Sequence, residues 1–292
     1  FHLIKILPNS VTNDTIIYTI DIKDLYTNIP NEFGVKAVSF WFDQYSSLCP
    51  YPKEFIINSI IFILQNNYFQ FKNQVFRQKN GIAMGTNFAP KYANLVIAYL
   101  EHILFTKSKL STYTLLNLKT KYFRYLDDIL IFWDKIHDSF TNFIQEINSI
   151  CPSLKFIPSK GSYTDNFLDI KIIIVNQTIK TDIFYKSTNN HSYIPFNSKL
   201  SRHMKINTVL CLLQRIDKIV SDQSWKVYRF QEMIHILQSL GYPRLLLQNC
   251  LQKILEGKKV IPNTQTSKIV FYQSSKNNNF YKNFLPLKNF IE

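Results

Sequence analysis

The sequence has few cysteines and glycines, and it has no long hydrophobic run. Its four cysteines are widely separated and none forms a CxxC pair, so they suggest neither a zinc ribbon nor a disulfide framework. A reducing compartment is the simplest interpretation. The longest apolar stretch, residues 56–64, is interrupted by Asn58 and Ser59 and is far shorter than the ~20 residues of a membrane-spanning helix. We therefore expect no membrane partner.

Acidic residues are also scarce relative to basic ones. The 292 residues include 34 Lys and Arg against 20 Asp and Glu, which gives a net charge of +14. Such a surplus favours a polyanionic partner, either a nucleic acid or an acidic membrane surface, and aromatic residues at 15% suit base stacking. A genome rich in Lys, Asn, Ile, Phe and Tyr codons would produce much of the same composition. With 46% hydrophobic residues the chain can build a packed core, which excludes a disordered tail.

Strands and helices are expected to alternate irregularly up to about residue 186, and helices to follow, which predicts an α+β sheet domain and then a helical domain. The apolar run 16–22 predicts a buried strand, 23–30 a turn, and 121–134 two strands joined by a tight turn. The other expected elements are helices over 34–48, 53–66, 91–107 and 139–150, a hairpin over 68–78, strands over 167–175 and 179–185, and helices over about 203–256 that break at Gly241–Pro243.

Three carboxylates stand at the ends of predicted strands. Asp127 and Asp128 are adjacent at the apex of a hairpin, where two like charges repel unless a cation neutralises them, and a divalent cation suits carboxylate oxygens. Asp21 ends another apolar strand. If the two strands are neighbours, the three carboxylates form the ligand set for two Mg²⁺ ions ~3.5–4 Å apart, as in phosphoryl transfer. An ordinary surface turn and a strand-end aspartate are the simpler alternatives.

A glycine-containing loop precedes a predicted helix. Two of the six glycines, Gly81 and Gly85, lie within Gly81–Thr86. Glycine lets the backbone approach a ligand closely. By itself this pattern is equally compatible with a plain loop before a helix.

These segments occur in the order of the reverse transcriptase palm. Asp21–Tyr26 resembles motif A, Gly81–Pro90 resembles motif B, and Tyr125–Asp128 resembles the YxDD form of motif C. More narrowly, DIKDLYTNIP, GIAMGTNFAPKYANLVIAYLE, RYLDDILIF and FLDI resemble the Penelope-like retroelements, which are relatives of telomerase. The later IFYKSTNNHSYIPFNS resembles the segment beyond the palm in that family, so the resemblance extends from Phe1 to about Gly257.

The resemblance implies a right-hand polymerase. We expect the palm, an antiparallel sheet with packed helices, and partial fingers over residues 1–186, a helical thumb over 187–260, and an unassigned tail over 261–292. Only twenty residues precede Asp21, so we expect most of the fingers to lie upstream and the chain to be a piece of a longer protein. No GIY-YIG endonuclease follows the thumb, although many members of the family carry one.

The resemblance also implies an activity, namely RNA-directed DNA polymerisation with dNTPs, a DNA primer and an RNA template. Asp21 and Asp127 would hold two Mg²⁺ ions, for which Mn²⁺ could substitute, while Asp128 would assist and the Ile22 carbonyl could complete one coordination sphere. Tyr26 would pack under the sugar and select deoxynucleotides. The other residues implied at the substrates are Met84 and Gly85 at the nascent base pair, and Tyr125 and Gly81 at the primer and template.

Basic residues complete the expected site. Lys160 is a candidate general acid for the pyrophosphate, with Lys155 as the alternative and a solvated surface charge as the simpler explanation for either. Residues 199–229 contain seven Lys and Arg but only two Asp, which predicts a thumb that grips the primer–template backbone unless this is merely a solvated helical face. The cations expected to make these contacts are Lys199, Arg202, Lys205 and Arg215.

Other functions are compatible with parts of the pattern. An RNA-dependent RNA polymerase uses the same palm, but Tyr26 argues against it. A catalytically inactive nucleic-acid-binding relic and a structural or membrane-surface protein are the remaining alternatives. By resemblance the protein would act on chromosomal DNA in the nucleus, with the cytoplasm as the second location, and nothing in the sequence indicates a protein partner.

Overall fold

The computed structural model describes residues 2–135 and 138–257, and within these ranges the chain folds into antiparallel sheets with packed helices. Its strands, in chain order, are β1 (Thr15–Lys23), β2 (Tyr68–Phe71), β3 (Gln74–Arg77), β4 (Tyr122–Tyr125), β5 (Asp128–Asp134), β6 (Lys155–Pro158), β7 (Thr164–Phe167), β8 (Ile170–Val175) and β9 (Thr178–Ile183). Its helices are α1 (His2–Ile6), α2 (Leu25–Asn28), α3 (Asn31–Gln44), α4 (Lys53–Gln65), α5 (Ala89–Lys107), α6 (Thr112–Lys121), α7 (Phe140–Ile150), α8 (Arg202–Ile219), α9 (Gln223–Ser239) and α10 (Arg244–Leu255). A short 3₁₀ turn, Ser46–Leu48, follows α3.

The central sheet has the strand order β4-β5-β1-β6, and β1 runs antiparallel to both of its neighbours. Side chains alternate between the two faces of a strand, so one face receives every second residue. Ile20 and Ile22 of β1 and Ile129 of β5 point to the face that is covered by helices α3, α5 and α7. This first core buries large side chains such as Tyr92 and Phe143 completely or nearly so.

The opposite face of the sheet is covered only in part. Ile17 of β1 and Leu130 and Phe132 of β5 belong to a second core, which they share with the β7–β8–β9 sheet and with helices α8, α9 and α10. The N-terminal segment joins the same core, because the Val11 N–H donates to the carbonyl of Gln177 over 2.8 Å. Helices therefore cover one face of the sheet. The second core covers the other face only around Ile17, Leu130 and Phe132.

The hairpin formed by β2 and β3 stands apart from both cores. All of its side chains are exposed, and the rings of Phe69 and Phe76 stack with centroids 5.6 Å apart. The Gln78 N–H closes the base of the hairpin by donating to the carbonyl of Asn67 over 2.8 Å. The hairpin expected from the sequence is thus present.

Several expected element boundaries were wrong, each for a local reason. The segment 23–30 contains the short helix α2, entered through Asp24 in the left-handed backbone region with φ 49°. The expected strand 167–175 forms only from Ile170 onward, as β8, because Leu168 has φ 54° and interrupts the extended conformation after Phe167, the last residue of β7. Helix α5 begins at Ala89, since a proline is tolerated in the first turn, where no N–H bond is needed.

The domain boundary expected near residue 186 stays a prediction. The expected tail 261–292 and the last three residues of the expected thumb lie outside the described residues. In the part of the chain that the structure covers, none of the helices has both the length and the hydropathy needed to cross a membrane.

Candidate active site

Two of the three carboxylates singled out in the sequence are direct partners in the central sheet. Asp21 of β1 lies opposite Asp128 of β5. Both residues occupy the positions that alternate with the buried Ile20, Ile22 and Ile129, so their side chains are on the face away from α3, α5 and α7. The alternation that buries the apolar residues therefore brings the two carboxylates to one end of the open face.

The third carboxylate lies in the turn between β4 and β5. Leu126, the first residue of this turn, has φ 57°, a left-handed conformation that is uncommon for a residue with a branched side chain. Asp127 follows, and its carbonyl accepts a hydrogen bond from the Ile22 N–H over 3.2 Å. This bond joins the turn to β1, so Asp21, Asp127 and Asp128 share one tip of the sheet.

Electrostatic repulsion is evident at this tip. Partial burial, together with the negative charges of Asp127 and Asp24, raises the pKa of Asp21 above its usual value. Partial burial and the charges of Asp127 and Asp21 likewise raise the pKa of Asp128, whereas the nearby ammonium group of Lys186 acts in the opposite direction. Accumulated negative charge of this kind favours a cation.

The carboxylates do not form a finished metal cage. Within residues 2–135 and 138–257, no group of three or more His, Cys, Asp or Glu side chains is arranged to hold a metal ion. Asp21 is exposed, so its side chain can adopt another rotamer without repacking the core. The tip therefore supplies suitable oxygen donors, but convergence on a shared cation requires side-chain movement.

A cavity of about 240 Å³ lies beside Asp21 and Asp128. Its wall includes Ile157 of β6 and the end of β7, so a third chain segment contributes to the site. Leu168, in the left-handed turn after β7, also borders the cavity. The sequence interpretation assigned no role to these wall residues, and their only signal was the FLDI resemblance.

The glycine loop lies against the short helix α2, which follows β1. Gly81 has φ +72°, and a Cβ atom at this position would stand 2.4 Å from the carbonyl oxygen of Tyr26. The next residue, Ile82, donates its N–H to the same oxygen over 2.7 Å. Gly81 is buried in this contact, whereas Met84 and Gly85 are exposed beyond it, and the expected contact of Gly81 with primer or template stays a prediction.

The remaining expected contact residues surround the tip unequally. Tyr125 ends β4, lies opposite Asp128 and is 59% exposed. Lys155 pairs with Lys23 and occupies the same face as Asp21, two residues further along the strands. Lys160 follows the end of β6 and is exposed. Lys186, which the sequence interpretation missed, is close enough to influence Asp128.

The expected thumb cations fall into two groups. Lys199, three residues before α8, and Arg202, the first residue of α8, are both exposed. Lys205 donates to the carbonyl of Ser198 over 2.7 Å, and Arg215 pairs with Asp169 over 2.8 Å. To bind phosphate, Lys205 and Arg215 would have to leave these partners. Lys199 and Arg202 would not have to give up a contact of this kind.

An antiparallel sheet that carries aspartates on neighbouring strands, with helices on its back and a helical region after it, is the arrangement found in right-hand nucleic-acid polymerases. The fold is that of the palm with partial fingers, followed by a helical thumb, as the sequence predicted. The chain belongs to the reverse transcriptase (RNA-dependent DNA polymerase) family, because the model of that family matches residues 5–160, more than half of its length. A second family model, the animal helix-turn-helix domain, matches residues 192–252.

Solved structures resemble the chain in fold at low sequence identity. The telomerase of Candida albicans, solved with a TWJ fragment of telomeric RNA, is 13% identical over 85% of this chain and 40% of that one, with a TM-score of 0.52. An apo telomerase of Candida tropicalis truncated from its C-terminal domain is 14% identical over 57% of this chain and 36% of that one (TM-score 0.39). The Sicinivirus RNA-dependent RNA polymerase is 12% identical over 83% and 52%, respectively (TM-score 0.45).

The chain thus spans 36–52% of the lengths of these three proteins. A comparison with curated proteins finds no match.

Proposed function

We propose that the chain is the catalytic core of an RNA-directed DNA polymerase from a Penelope-like retroelement, which extends a DNA primer along an RNA template with dNTPs. The observation that carries this proposal is the pairing of Asp21 with Asp128 on the open face of the palm sheet, with Asp127 in the adjoining turn. Three carboxylates at one strand tip are the arrangement that two-metal nucleotidyl transfer requires.

The donor set fits divalent cations. Carboxylate and carbonyl oxygens are the ligands that Mg²⁺ prefers, and Mn²⁺ accepts the same ligands. Asp21 and Asp127 would hold both ions, with assistance from Asp128 and the carbonyl of Ile22. Two ions held by these residues would supply Lewis-acid activation of the primer 3′-hydroxyl group and neutralisation of charge on the phosphates. The protein's own task is to position the reacting groups at this tip.

Tyr26 has the support that a sugar-sensing side chain needs. Its carbonyl oxygen accepts a hydrogen bond from the Ile82 N–H, and Gly81 allows the glycine loop to approach α2 closely. Tyr26 would pack under the sugar of the incoming dNTP and obstruct a 2′-hydroxyl group. Met84, which is 72% exposed, and Gly85 would contact the nascent base pair.

The regions around the tip would bind primer and template. Tyr125 is exposed next to Asp128, where the primer end would lie. Lys199 and Arg202 would contact the phosphate backbone from the start of the helical region, and the helix-turn-helix match over residues 192–252 supports a helical module there. Lys205 and Arg215 would join them only by releasing Ser198 and Asp169.

Lys155 shares the face of Asp21, whereas Lys160 lies beyond the strand, so the geometry favours Lys155 as the proton donor to pyrophosphate.

The narrower assignment rests on the sequence motifs. Met84 within GIAMG, together with DIKDLYTNIP and RYLDDILIF, resembles the Penelope-like elements and not the many reverse transcriptases that have Gln at this position. An enzyme of this kind would act on chromosomal DNA, which places it in the nucleus, with the cytoplasm as the alternative.

The test is primer extension by the full chain, together with any sequence that adjoins it in the natural protein, on a DNA primer annealed to RNA. Asp127→Asn and Asp128→Asn should each reduce extension at least about 100-fold, because each removes a charge from the shared tip. Asp43→Asn is the matched control, since Asp43 is exposed and its ion pair with Lys53 lies outside the site. Equal extension by the wild type and both tip variants would refute the catalytic assignment.

A catalytically inactive nucleic-acid-binding relative is the second candidate. One observation favours it, namely that the described residues contain no ready-made group of metal-ligating side chains. Binding of primer–template without extension, in both Mg²⁺ and Mn²⁺, would select this alternative.

A further inference from the structure

The turn that carries Asp127 is held from outside the sheet by an arginine. The side chain of Arg124, in β4, crosses to helix α5 and is only 14% exposed. Its Nε donates to Oε1 of Glu101 over 2.6 Å and its Nη2 donates to Oε2 of the same carboxylate over 3.1 Å. The Tyr122 hydroxyl donates to Oε1 of Glu101 as well, over 2.7 Å. A fork of this kind fixes the plane of the guanidinium group.

The third nitrogen of the same guanidinium group reaches the turn. Nη1 of Arg124 donates to Oδ1 of Asn94 over 2.8 Å and to the carbonyl oxygen of Leu126 over 3.2 Å. Leu126 is the left-handed residue that immediately precedes Asp127. A non-glycine residue in this conformation costs free energy and persists only where its surroundings fix it.

Both carbonyls of the turn are therefore held by different parts of the molecule. Arg124 holds the carbonyl of Leu126 against α5, and the Ile22 N–H holds the carbonyl of Asp127 against β1. The first tie links the turn to the helix that follows the glycine loop, and the second links it to the strand of Asp21. The backbone that carries the Asp127 side chain is thus held by both α5 and β1.

We propose that Arg124 is a positioning residue, which uses Glu101 and Asn94 as its base on α5 to hold the Leu126–Asp127 turn in the conformation that aims Asp127 at the shared tip. The inference rests on the proposed function, because it assigns Arg124 a role in the geometry of the same carboxylates. Arg124 itself does not touch the reacting atoms. Its effect on the reaction is transmitted through the backbone of Leu126.

The most informative variant is Arg124→Lys. It retains the positive charge beside Glu101, but a lysine ammonium group cannot hold the fork with Glu101 and reach Leu126 at the same time. Glu101→Gln keeps the size of the side chain and loses the charge that orients the fork. Lys53→Met is the control, since it also removes one partner of an ion pair but acts at an exposed site.

Three quantities separate positioning from a general structural role. We expect Arg124→Lys and Glu101→Gln to lower kcat for primer extension and the affinity for Mn²⁺, measured by calorimetry on the protein without nucleic acid, by about 10–100-fold each. The Kd for primer–template should stay within about twofold, because the phosphate contacts are elsewhere. Lys53→Met should leave all three unchanged.

The outcomes distinguish this inference from the proposed function. Wild-type kcat and Mn²⁺ affinity in Arg124→Lys, in an assay where Asp127→Asn abolishes extension, would overturn the positioning role and leave the function standing. A wild-type protein that does not extend primers, but whose Mn²⁺ affinity falls in Arg124→Lys, would support the positioning role and refute the function. Equal losses of kcat, Mn²⁺ affinity and primer–template affinity that follow a lowered Tm would also overturn the role, because they would indicate unfolding.

Discussion

At the scale of single residues, Tyr26 provides the sharpest separation between a reverse transcriptase and an RNA polymerase. Tyr26→Ala should raise ribonucleotide incorporation relative to dNTP incorporation by about 10–100-fold, because the obstruction beneath the 2′-position is removed. The measurement is single-nucleotide extension with matched dNTP and rNTP. Tyr51→Ala is a suitable control, since Tyr51 is an exposed tyrosine that packs on Phe55. An unchanged dNTP preference in Tyr26→Ala would show that the tyrosine is not the sugar gate.

Asp134 makes stability depend on pH at the other end of β5. Burial alone would raise its pKa, but hydrogen bonds from Lys121, Thr15 and Thr12 and the charge of Lys121 outweigh burial and lower the pKa. A lowered pKa in the folded state contributes stability above the unfolded value of about 4, and this stability is lost as the pH falls through the folded pKa. The ion pair is therefore expected to stabilise the protein at neutral pH and not in acid.

The corresponding variant is Asp134→Asn, compared with the wild type by urea unfolding. At pH 7 we expect it to lower the free energy of unfolding by about 1.5–3 kcal/mol, because Lys121 loses the carboxylate it donates to and both side chains are largely buried. The difference should shrink as the pH falls below about 4. Asp43→Asn, in an exposed pair, should change stability by less than about 1 kcal/mol. A difference for Asp134→Asn that is the same at pH 7 and in acid would contradict this account.

The carboxylates of the site could be predicted from the sequence, whereas their support could not. Asp21 and Asp127–Asp128 follow apolar strand patterns and have a chemical reason to share a cation. Arg124 and Glu101 gave no such signal, because a charged pair separated by a helix and a turn becomes recognisable only once α5 lies against β4. Lys186 was missed for the same reason. It is far from Asp128 in the sequence, and only the folded structure brings the two residues close together.

At the scale of elements, the close approach of α3 and α5 depends on a glycine. A Cβ atom on Gly34 of α3 would lie 1.8 Å from Oη and 2.5 Å from Cζ of Tyr92 in α5. In a helix, Ala is normally more favourable than Gly by about 1 kcal/mol. Here the ring of Tyr92 occupies the space that a methyl group on Gly34 would need, so helix propensity and packing are opposed.

We expect packing to prevail in Gly34→Ala. The free energy of unfolding should fall by about 1–3 kcal/mol, because Tyr92 is buried and the two helices must separate to admit the methyl group. Chemical denaturation of Gly34→Ala and of Lys36→Ala, an exposed substitution on the same helix, gives the comparison. Stabilisation of the protein by Gly34→Ala would mean that Tyr92 moves aside at little cost.

The sequence patterns located most elements because their apolar periods are regular. β1 and β5 were predicted from continuous apolar runs. Their pairing was only a condition at that point, and the structure shows it, with Ile20 opposite Ile129. Helix α6 and strands β6 and β7 were missed, since their short segments carry few apolar residues and depend on packing against β5 and β1. The division at Leu168 could not be predicted, because nothing in an apolar run indicates a left-handed residue that is not glycine.

At the scale of the whole molecule, the net charge of +14 should appear as salt-dependent binding of primer–template. Lys199→Ala and Arg202→Ala should each weaken binding and reduce the slope of log K against log salt by about one, because each removes one phosphate contact. The measurement is a fluorescence anisotropy titration at several salt concentrations. Lys53→Ala serves as the control, since it removes the same charge from a site away from α8. A slope that is unchanged in both variants would contradict a phosphate-binding role for the start of the helical region.

The layer beneath the carboxylates is assembled from segments far apart in the chain. Val11, Ile17, Phe132 and side chains of α8, α9 and α10 pack into one hydrophobic core, which includes Ile254. During synthesis from the N-terminus, β1 and β5 emerge long before α10. The face of these strands that carries Ile17 and Phe132 therefore stays uncovered until α10 has left the ribosome. The palm sheet therefore acquires its completed second face only after α10 has been synthesised, and until then it exposes apolar surface.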